Sequence, residues 1–301
     1  MIEIRSVTKT FGSYTAVSNI DMTIPSGSIY GLVGTNGSGK TTILNLLAGV
    51  LRPDGGTIAY DGREVYENAA VKRDLAFIPD DLSFFNGFTL REAGRLFSGL
   101  YDGVWNKDLF DVSVTHFKLD RTMQISRMSK GMRKQAVFCL SFARQPAFML
   151  LDEPLDGLDP IVRRSIWELI VDAAADRGMT SVVSSHNLRE LEGYCDSICA
   201  INTGSVVIEK DLDDLKSDIH KLQVSYGPGK QQAPDLYDSL NVLDRRDSGS
   251  VDYLVVRNSA EELDDFVRRT RPILFDRIPL TLEEVFMYQL GGEGNEHGSI
   301  L

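Results

Sequence analysis

The stretch "GLVGTNGSGKTTILNLLAGV", Gly31 to Val50, passes from an apolar run through a glycine-rich loop to a lysine, two threonines and a helical apolar pattern. Gly34, Gly39, Lys40 and Thr41 fit the spacing G-x-x-x-x-G-K-[ST], with a buried-strand run (Ile29 to Val33) before the loop and a helix after it. Glycines let backbone N–H groups converge on a phosphate chain without Cβ clashes, and the following helix aims its positive end at the same anion. Asn36, Gly37, Ser38, Gly39, Lys40, Thr41 and Thr42 are therefore expected to cradle nucleotide phosphates. Lys40 should pair with the β and γ phosphates, and Thr41 should hold Mg²⁺.

Composition narrows the setting. The chain has 301 residues, 43% of them hydrophobic, enough to bury a substantial core in one large domain or in a domain with an appendage. A formal net charge of -11 argues against a dedicated nucleic-acid binder, whose footprint would be basic. No apolar run approaches the roughly 18 residues that span a bilayer, and MIEIRSVTKTF lacks signal-peptide architecture, so a cytosolic location is expected. Cys139, Cys195 and Cys199 form no C-x-x-C pair and read as buried core thiols rather than a metal site.

Along the chain the texture is α/β. Alternation in "AVSNIDMTI" (16 to 24) and the short run "GTIAYDG" (56 to 62) predict antiparallel strands, whereas "IYGLV", "LAFI", "FMLLD", "TSVVSS" and "SICAIN" read as buried, mostly parallel strands. A helix is expected from Pro160, a residue suited to a helix start. From about residue 82 to 142 the pattern is helical with no buried strand run, which suggests a helical insert in an α/β core.

A phosphate loop alone does not choose among GTPases, kinases, helicases and transport ATPases. "FMLLDEP" (148 to 154) adds four apolar residues followed by two carboxylates at a strand end. Asp152 would reach the Mg²⁺ shell, and Glu153 would polarise the water that attacks the γ-phosphate.

"RMSKGMRKQ" (127 to 135) lies shortly before that strand, and here the sequence resembles the ATP-binding cassette family. Ser129, Lys130, Gly131 and Met132 look like a variant of the family's L-S-G-G-Q signature. The resemblance runs in order from Ile2 to about Lys210. It implies a P-loop NTPase cassette with a mostly parallel core sheet, an antiparallel β subdomain and a helical subdomain at about 82–142. It also implies ATP hydrolysis with Mg²⁺ in a head-to-tail pair of cassettes, the signature of one closing over the ATP of the other. Phe11 occupies the position where an aromatic ring stacks on adenine, with Tyr14 a nearby rival. Such stacking is worth roughly 1–3 kcal/mol in other base-binding proteins. "LDGLD" matches the D-loop, with Asp159 expected at the dimer interface, and His186 matches the histidine that contacts the γ-phosphate.

The resemblance departs at Asp80, where the Q-loop glutamine is expected; a carboxylate still suits a hard cation, so Asp80 remains a candidate metal ligand with Thr41 and Asp152. Lys130 and Met132 replace signature residues, so weakened rather than lost ATPase activity is expected. Beyond the cassette (1–216), residues 217–290 read as a small α+β appendage and 291–301 as a disordered tail. The "LEEVF" helix near its end is similar to the tail of exporter-type cassettes. The resemblance implies a partner integral-membrane permease on a separate chain, a second cassette chain, no nucleic acid, and a peripheral location on the inner face of the cell membrane. A soluble, non-transport cassette ATPase acting on a cytosolic partner is the alternative.

Overall fold

A computed structural model describes residues 1–82, 87–217, 219–227 and 236–290. The expected tail at 291–301 lies outside the described residues. The chain divides into two compact units: Met1–Asn187 with Gly193–Glu209, and Leu188–Glu192 with the described residues from Lys210 onward.

The first unit is built on a six-stranded sheet in the order Ser205–Asp211, Ser197–Asn202, Ile29–Val33, Thr180–Ser185, Phe148–Asp152, Leu75–Ile78. From Ser197–Asn202 to Leu75–Ile78 each neighbouring pair is parallel. These strands carry the continuous apolar runs seen in the sequence, and Ile29–Val33 and Phe148–Asp152 are buried throughout. That is the burial expected of strands covered on both faces. Because they run parallel, their carboxyl ends share one edge, where open α/β sheets bind ligands.

A second, antiparallel sheet orders the strands Tyr14–Ile24, Ile2–Phe11, Gly55–Tyr60 and Arg63–Glu64. Its inward residues, among them Ile2, Ile4, Met22, Ile24 and Ile58, join the helix Lys40–Leu47 in one apolar core. The alternation of the early sequence is the imprint of this sheet.

The helical region comprises Leu90–Leu100, Lys107–His116, the 3₁₀ turn Ile125–Arg127 and Lys130–Ala143. Thr89 and Glu92 form a capping box that starts the first of these helices. Leu90, Phe110, Val114, Ile125, Met128 and Leu140 pack into a separate small core. The helix expected at Pro160 spans Pro160–Arg177, with proline in its first turn and Gly178 closing it in a left-handed conformation.

The second unit holds an antiparallel sheet ordered Val242–Ser248, Val251–Arg257, Ile219–Ser225, Leu274–Ile278. The helix Ala260–Thr270 begins with a Ser259–Glu262 capping box and contributes Leu263 and Phe266 to the core of this sheet. Asp252, fully buried, accepts from the Tyr237 hydroxyl at 2.6 Å and the Arg245 guanidinium at 3.3 Å, which satisfies a charge the core would otherwise reject. The short helix Leu188–Leu191 belongs here: Arg189 pairs with Glu283 at 3.0 Å. Among the described residues, no helix is long and apolar enough to cross a membrane.

Candidate functional site: a phosphate-loop cleft

Four adjacent parallel strands deliver the site. In sheet order, Val33 leads into the glycine-rich loop, Ser185 into His186, Asp152 into Glu153, and Ile78 towards Asp80. A cleft of about 340 Å³ at this edge is lined by Tyr14, Ala16, Asn36, Gly37, Gly39, Lys40, Thr41, Thr42, Asp80 and Glu153.

The loop fits an anion. Gly39 sits at φ 112°, and a Cβ there would come within 2.7 Å of the Ala16 carbonyl oxygen, so this position demands glycine twice over. A Cβ on Gly34 would meet the Ile201 carbonyl oxygen at 2.4 Å. The helix Lys40–Leu47 starts with no side-chain cap and no acidic residue in its first turn, which leaves its first N–H groups and the positive end of its dipole to a ligand. The Ser38 Oγ is buried and has no hydrogen-bond partner among the described residues.

Lys40 and Glu153 face each other across the cleft. The Lys40 Nζ donates to the carbonyls of Gly34 at 2.6 Å and Thr35 at 3.2 Å and stands 3.6 Å from Glu153 Oε1. Burial pushes the Lys40 ammonium below its ordinary range, opposed by Glu153 and Asp152. Burial likewise pushes the Glu153 carboxyl up from the usual carboxylate range, opposed by His186 and Lys40. The two shifts agree: both charges are desolvated, and each is only partly compensated by the other. Glu153 Oε2 lies 2.9 Å from His186 Nδ1, while Oε1 is buried without a hydrogen-bond partner among the described residues.

Glu153 has φ 44°, a left-handed backbone that costs a non-glycine residue about 1–3 kcal/mol and persists only where its surroundings over-determine it. Ser184, fully buried on the neighbouring strand, supplies part of that constraint: its Oγ donates to Asp152 Oδ1 at 2.7 Å and accepts from the Glu153 N–H at 3.0 Å. One hydroxyl thus fixes both carboxylate residues.

The other expected site residues are placed as follows. Phe11 and Tyr14 pair across their hairpin and both rings are exposed, but Tyr14 lines the cleft and Phe11 does not. The Lys9 ammonium sits 5.6 Å from the Phe11 ring centroid. Asp80 lines the cleft, and its Oδ1 also accepts from Lys134 Nζ at 3.3 Å, so a cation placed there would share it with an ammonium. Ser129 caps the helix Lys130–Ala143 by accepting from the Met132 N–H at 3.2 Å; none of Ser129, Lys130, Gly131 and Met132 lines the cleft. Lys130 pairs with Asp156 at 2.8 Å, and Asp159 caps the next helix through the N–H groups of Ile161 and Val162.

Two residues of the site escaped the sequence reading. Ser184 was hidden in a run read only as a buried strand, although a serine at a strand's carboxyl end, register-matched to Asp152, is well placed to bond a carboxylate. Lys134 lies four residues after Lys130, on the same helix face. The three cysteines are buried away from the cleft; burial pushes the Cys139 thiol up to about 12.

A family model described as ABC transporter matches residues 17–156. The ABC transporter ATP-binding protein YtrB of Bacillus subtilis (strain 168) is 32% identical over 298 residues, covering 97% of this chain and 99% of that protein. This chain belongs to the ABC transporter family. It is an ATP-binding subunit of that family, an ATPase cassette. The bacitracin transport ATP-binding protein BcrA of Bacillus licheniformis is 30% identical over 219 residues, covering 72% of this chain and 71% of that protein. A solved structure of an ATP binding subunit of an ABC transporter superposes with a TM-score of 0.66 at 24% identity, covering 72% of this chain and 92% of that one. A bacterial ABC transporter cassette solved as a dimer gives a TM-score of 0.64 at 22% identity, over 70% of this chain and 99% of that one. The match to YtrB extends through the C-terminal unit, whereas the others span only about the length of the cassette.

Proposed function

We propose that this ABC subunit hydrolyses ATP at the phosphate-loop cleft with Glu153 as general base, as one of a head-to-tail pair of cassettes that drives a separate permease chain. The observation that carries the reading is Glu153 itself: its Oε1 is a buried carboxylate oxygen without a hydrogen-bond partner among the described residues, at the wall of the cleft and 3.6 Å from the phosphate-loop lysine. A raised carboxyl pKa in a desolvated cleft suits a group that takes a proton from water. Lys40, the loop amides and the uncapped helix start bind the phosphate chain. His186, on the Oε2 side of Glu153, orients the carboxylate and reaches the terminal phosphate. Tyr14 or Phe11 stacks on the adenine. Water adds to the terminal phosphorus, its proton passes to Glu153, and ADP leaves with the bond to the transferred phosphate broken.

Mg²⁺ would be held by Thr41 and Asp152, with Asp80 at its margin, and bound there it neutralises phosphate charge. The donor set suits a hard cation: the Thr41 hydroxyl and the buried Asp152 carboxylate are oxygen donors, and Ser38 Oγ and Glu153 Oε1 are further oxygens without a hydrogen-bond partner among the described residues.

That Ser129, Lys130, Gly131 and Met132 stand outside this chain's own cleft supports their use on the ATP of a second cassette. Relatives that serve bacitracin transport and Nod factor export favour an exporter, peripheral on the inner face of the cell membrane. The second unit is an accessory domain to the cassette. The permease reading is tested by affinity recovery of the tagged full chain from detergent-solubilised membranes of its own cells. A multi-span protein should co-purify in stable ratio. Recovery only with chains that lack spanning helices favours the cytosolic-partner alternative.

A further inference from the structure

Lys134, one turn into the helix that Ser129 caps, is 1% exposed although it carries a charge. Its ammonium reaches two groups: it donates to the backbone carbonyl of Glu153 at 2.6 Å and to Asp80 Oδ1 at 3.3 Å. Burial pushes this ammonium below its ordinary range, with Asp80 opposing, so the position is costly to maintain and its two acceptors are what repay it.

The carbonyl it holds is unusual. Glu153 is left-handed at φ 44°, and it precedes Pro154, which restricts its backbone further. Proline has no N–H, so the peptide after Glu153 offers no donor by which the chain could be anchored on that side. The amino side of Glu153 is tied by its own N–H to Ser184 Oγ at 3.0 Å. On the carboxyl side, the Glu153 carbonyl accepts from the Lys134 ammonium at 2.6 Å and, at the longer distance of 3.3 Å, from the Asp156 N–H, so the short charge-assisted bond is the one from Lys134.

We propose that Lys134 is a positioning residue for ATP hydrolysis: it clamps the left-handed backbone of Glu153 at its carbonyl and ties it to Asp80, so that the Asp80 loop and the catalytic carboxylate move together. The proposal rests on Glu153 being the general base. It assigns to this chain's Asp80 a route to the reaction that needs no contact with the metal. A shift of the Asp80 carboxylate changes the hold on the Glu153 carbonyl, and the aim of Oε1 follows from the backbone angle.

The test uses the full chain and four variants: Lys134→Met, which keeps the apolar stem and loses the ammonium; Lys134→Arg, which keeps a charged donor; Asp80→Ala; and the double variant Asp80→Ala/Lys134→Met. Steady-state hydrolysis gives kcat, a fluorescent ATP analogue gives nucleotide Kd, and amide hydrogen exchange by NMR on the metal- and nucleotide-free protein reads the Glu153 N–H. Lys134→Met should lower kcat by roughly tenfold to a hundredfold, the loss expected for one charge-assisted hydrogen bond, with Kd within about threefold. It should speed exchange at Glu153 by about tenfold and leave Leu150 and Leu151 on the same strand unchanged. Lys134→Arg should recover most of the kcat. The double variant should be no slower than Lys134→Met alone, because Asp80 acts through the lysine. Should Lys134→Met not fold, Lys134→Gln, a neutral donor of shorter reach, is read by the same criteria. An unchanged kcat, an unchanged exchange rate at Glu153, or additive losses in the double variant would each overturn the proposal. A Glu153→Gln protein with wild-type turnover overturns the base assignment beneath it, so the two failures are told apart.

Discussion

Two serines on one strand make opposite predictions. Ser184 and Ser181 both lie on Thr180–Ser185 and both are fully buried. The Ser184 Oγ donates to Asp152 and accepts from Glu153, whereas the Ser181 Oγ has no partner among the described residues. Ser184→Ala leaves a buried carboxylate oxygen without its donor and a buried N–H without its acceptor. At about 1–3 kcal/mol for each of the two orphaned groups, the loss should be roughly 2–6 kcal/mol. Ser181→Ala removes a hydroxyl that is already unsatisfied, so it should be neutral or stabilising by up to about 1 kcal/mol. The chemistry of the substitution is the same in both, so side-chain volume and propensity cancel in the comparison. Urea titration followed by tryptophan fluorescence measures it cleanly: the chain has 2 tryptophans, Trp105 and Trp167, and both belong to the cassette unit. The fluorescence signal therefore reports on the cassette unit. Midpoints for Ser184→Ala and Ser181→Ala that translate to within about 1 kcal/mol of each other would refute the reasoning that Ser184 fixes the two carboxylate residues.

Glu153→Gln should bind ATP as well as the wild type does but slow hydrolysis at least about a hundredfold, the lower end of what a general base supplies; phosphate release at saturating Mg-ATP measures it, and normal turnover removes Glu153 from the role of base. Asp54 gives a pH prediction away from the site. Its carboxylate accepts from the Thr10 N–H at 2.7 Å, from the Lys9 ammonium at 3.0 Å and from the Thr10 hydroxyl at 2.8 Å, which hold it at about 2 instead of 3.8. A depressed folded-state value stabilises above the unfolded value and is lost as pH falls through the folded one. The Tm deficit of Asp54→Asn should therefore be full near neutrality and shrink as pH is taken below 3.8 towards 2; a deficit constant across that window contradicts the assignment.

The parts of the fold set by local chemistry could be read from the chain. Apolar runs without alternation became the parallel strands, alternation became the antiparallel sheet, and Pro160 and Gly178 bracketed the helix between them. The phosphate loop was legible because its glycines are required by backbone geometry that nothing else satisfies, as Gly39 shows at φ 112° beside the Ala16 carbonyl. What the sequence did not disclose was long-range pairing. Lys134 meets Asp80 and Glu153 across 54 and 19 residues, and Ser184 meets Asp152 across 32. No periodicity encodes such contacts; they follow from which strands become neighbours. The ring on the cleft wall was ambiguous for a similar reason. Phe11 and Tyr14 are cross-strand partners at a hairpin tip, and only the turn of the hairpin decides which one faces the phosphate loop.

The pairing of two cassettes around ATP has a direct measurement: light scattering on the Glu153→Gln chain, with and without saturating Mg-ATP, beside a Glu153→Gln/Lys40→Ala control. Glu153→Gln should be a monomer of 33.4 kDa without nucleotide and twice that mass with Mg-ATP, because ATP that is bound and not hydrolysed holds the two halves closed. The control, deprived of its phosphate-loop ammonium, should stay at the monomer mass. A Glu153→Gln chain that remains at 33.4 kDa under saturating Mg-ATP, or that doubles its mass equally without nucleotide, contradicts an ATP-dependent pair of cassettes.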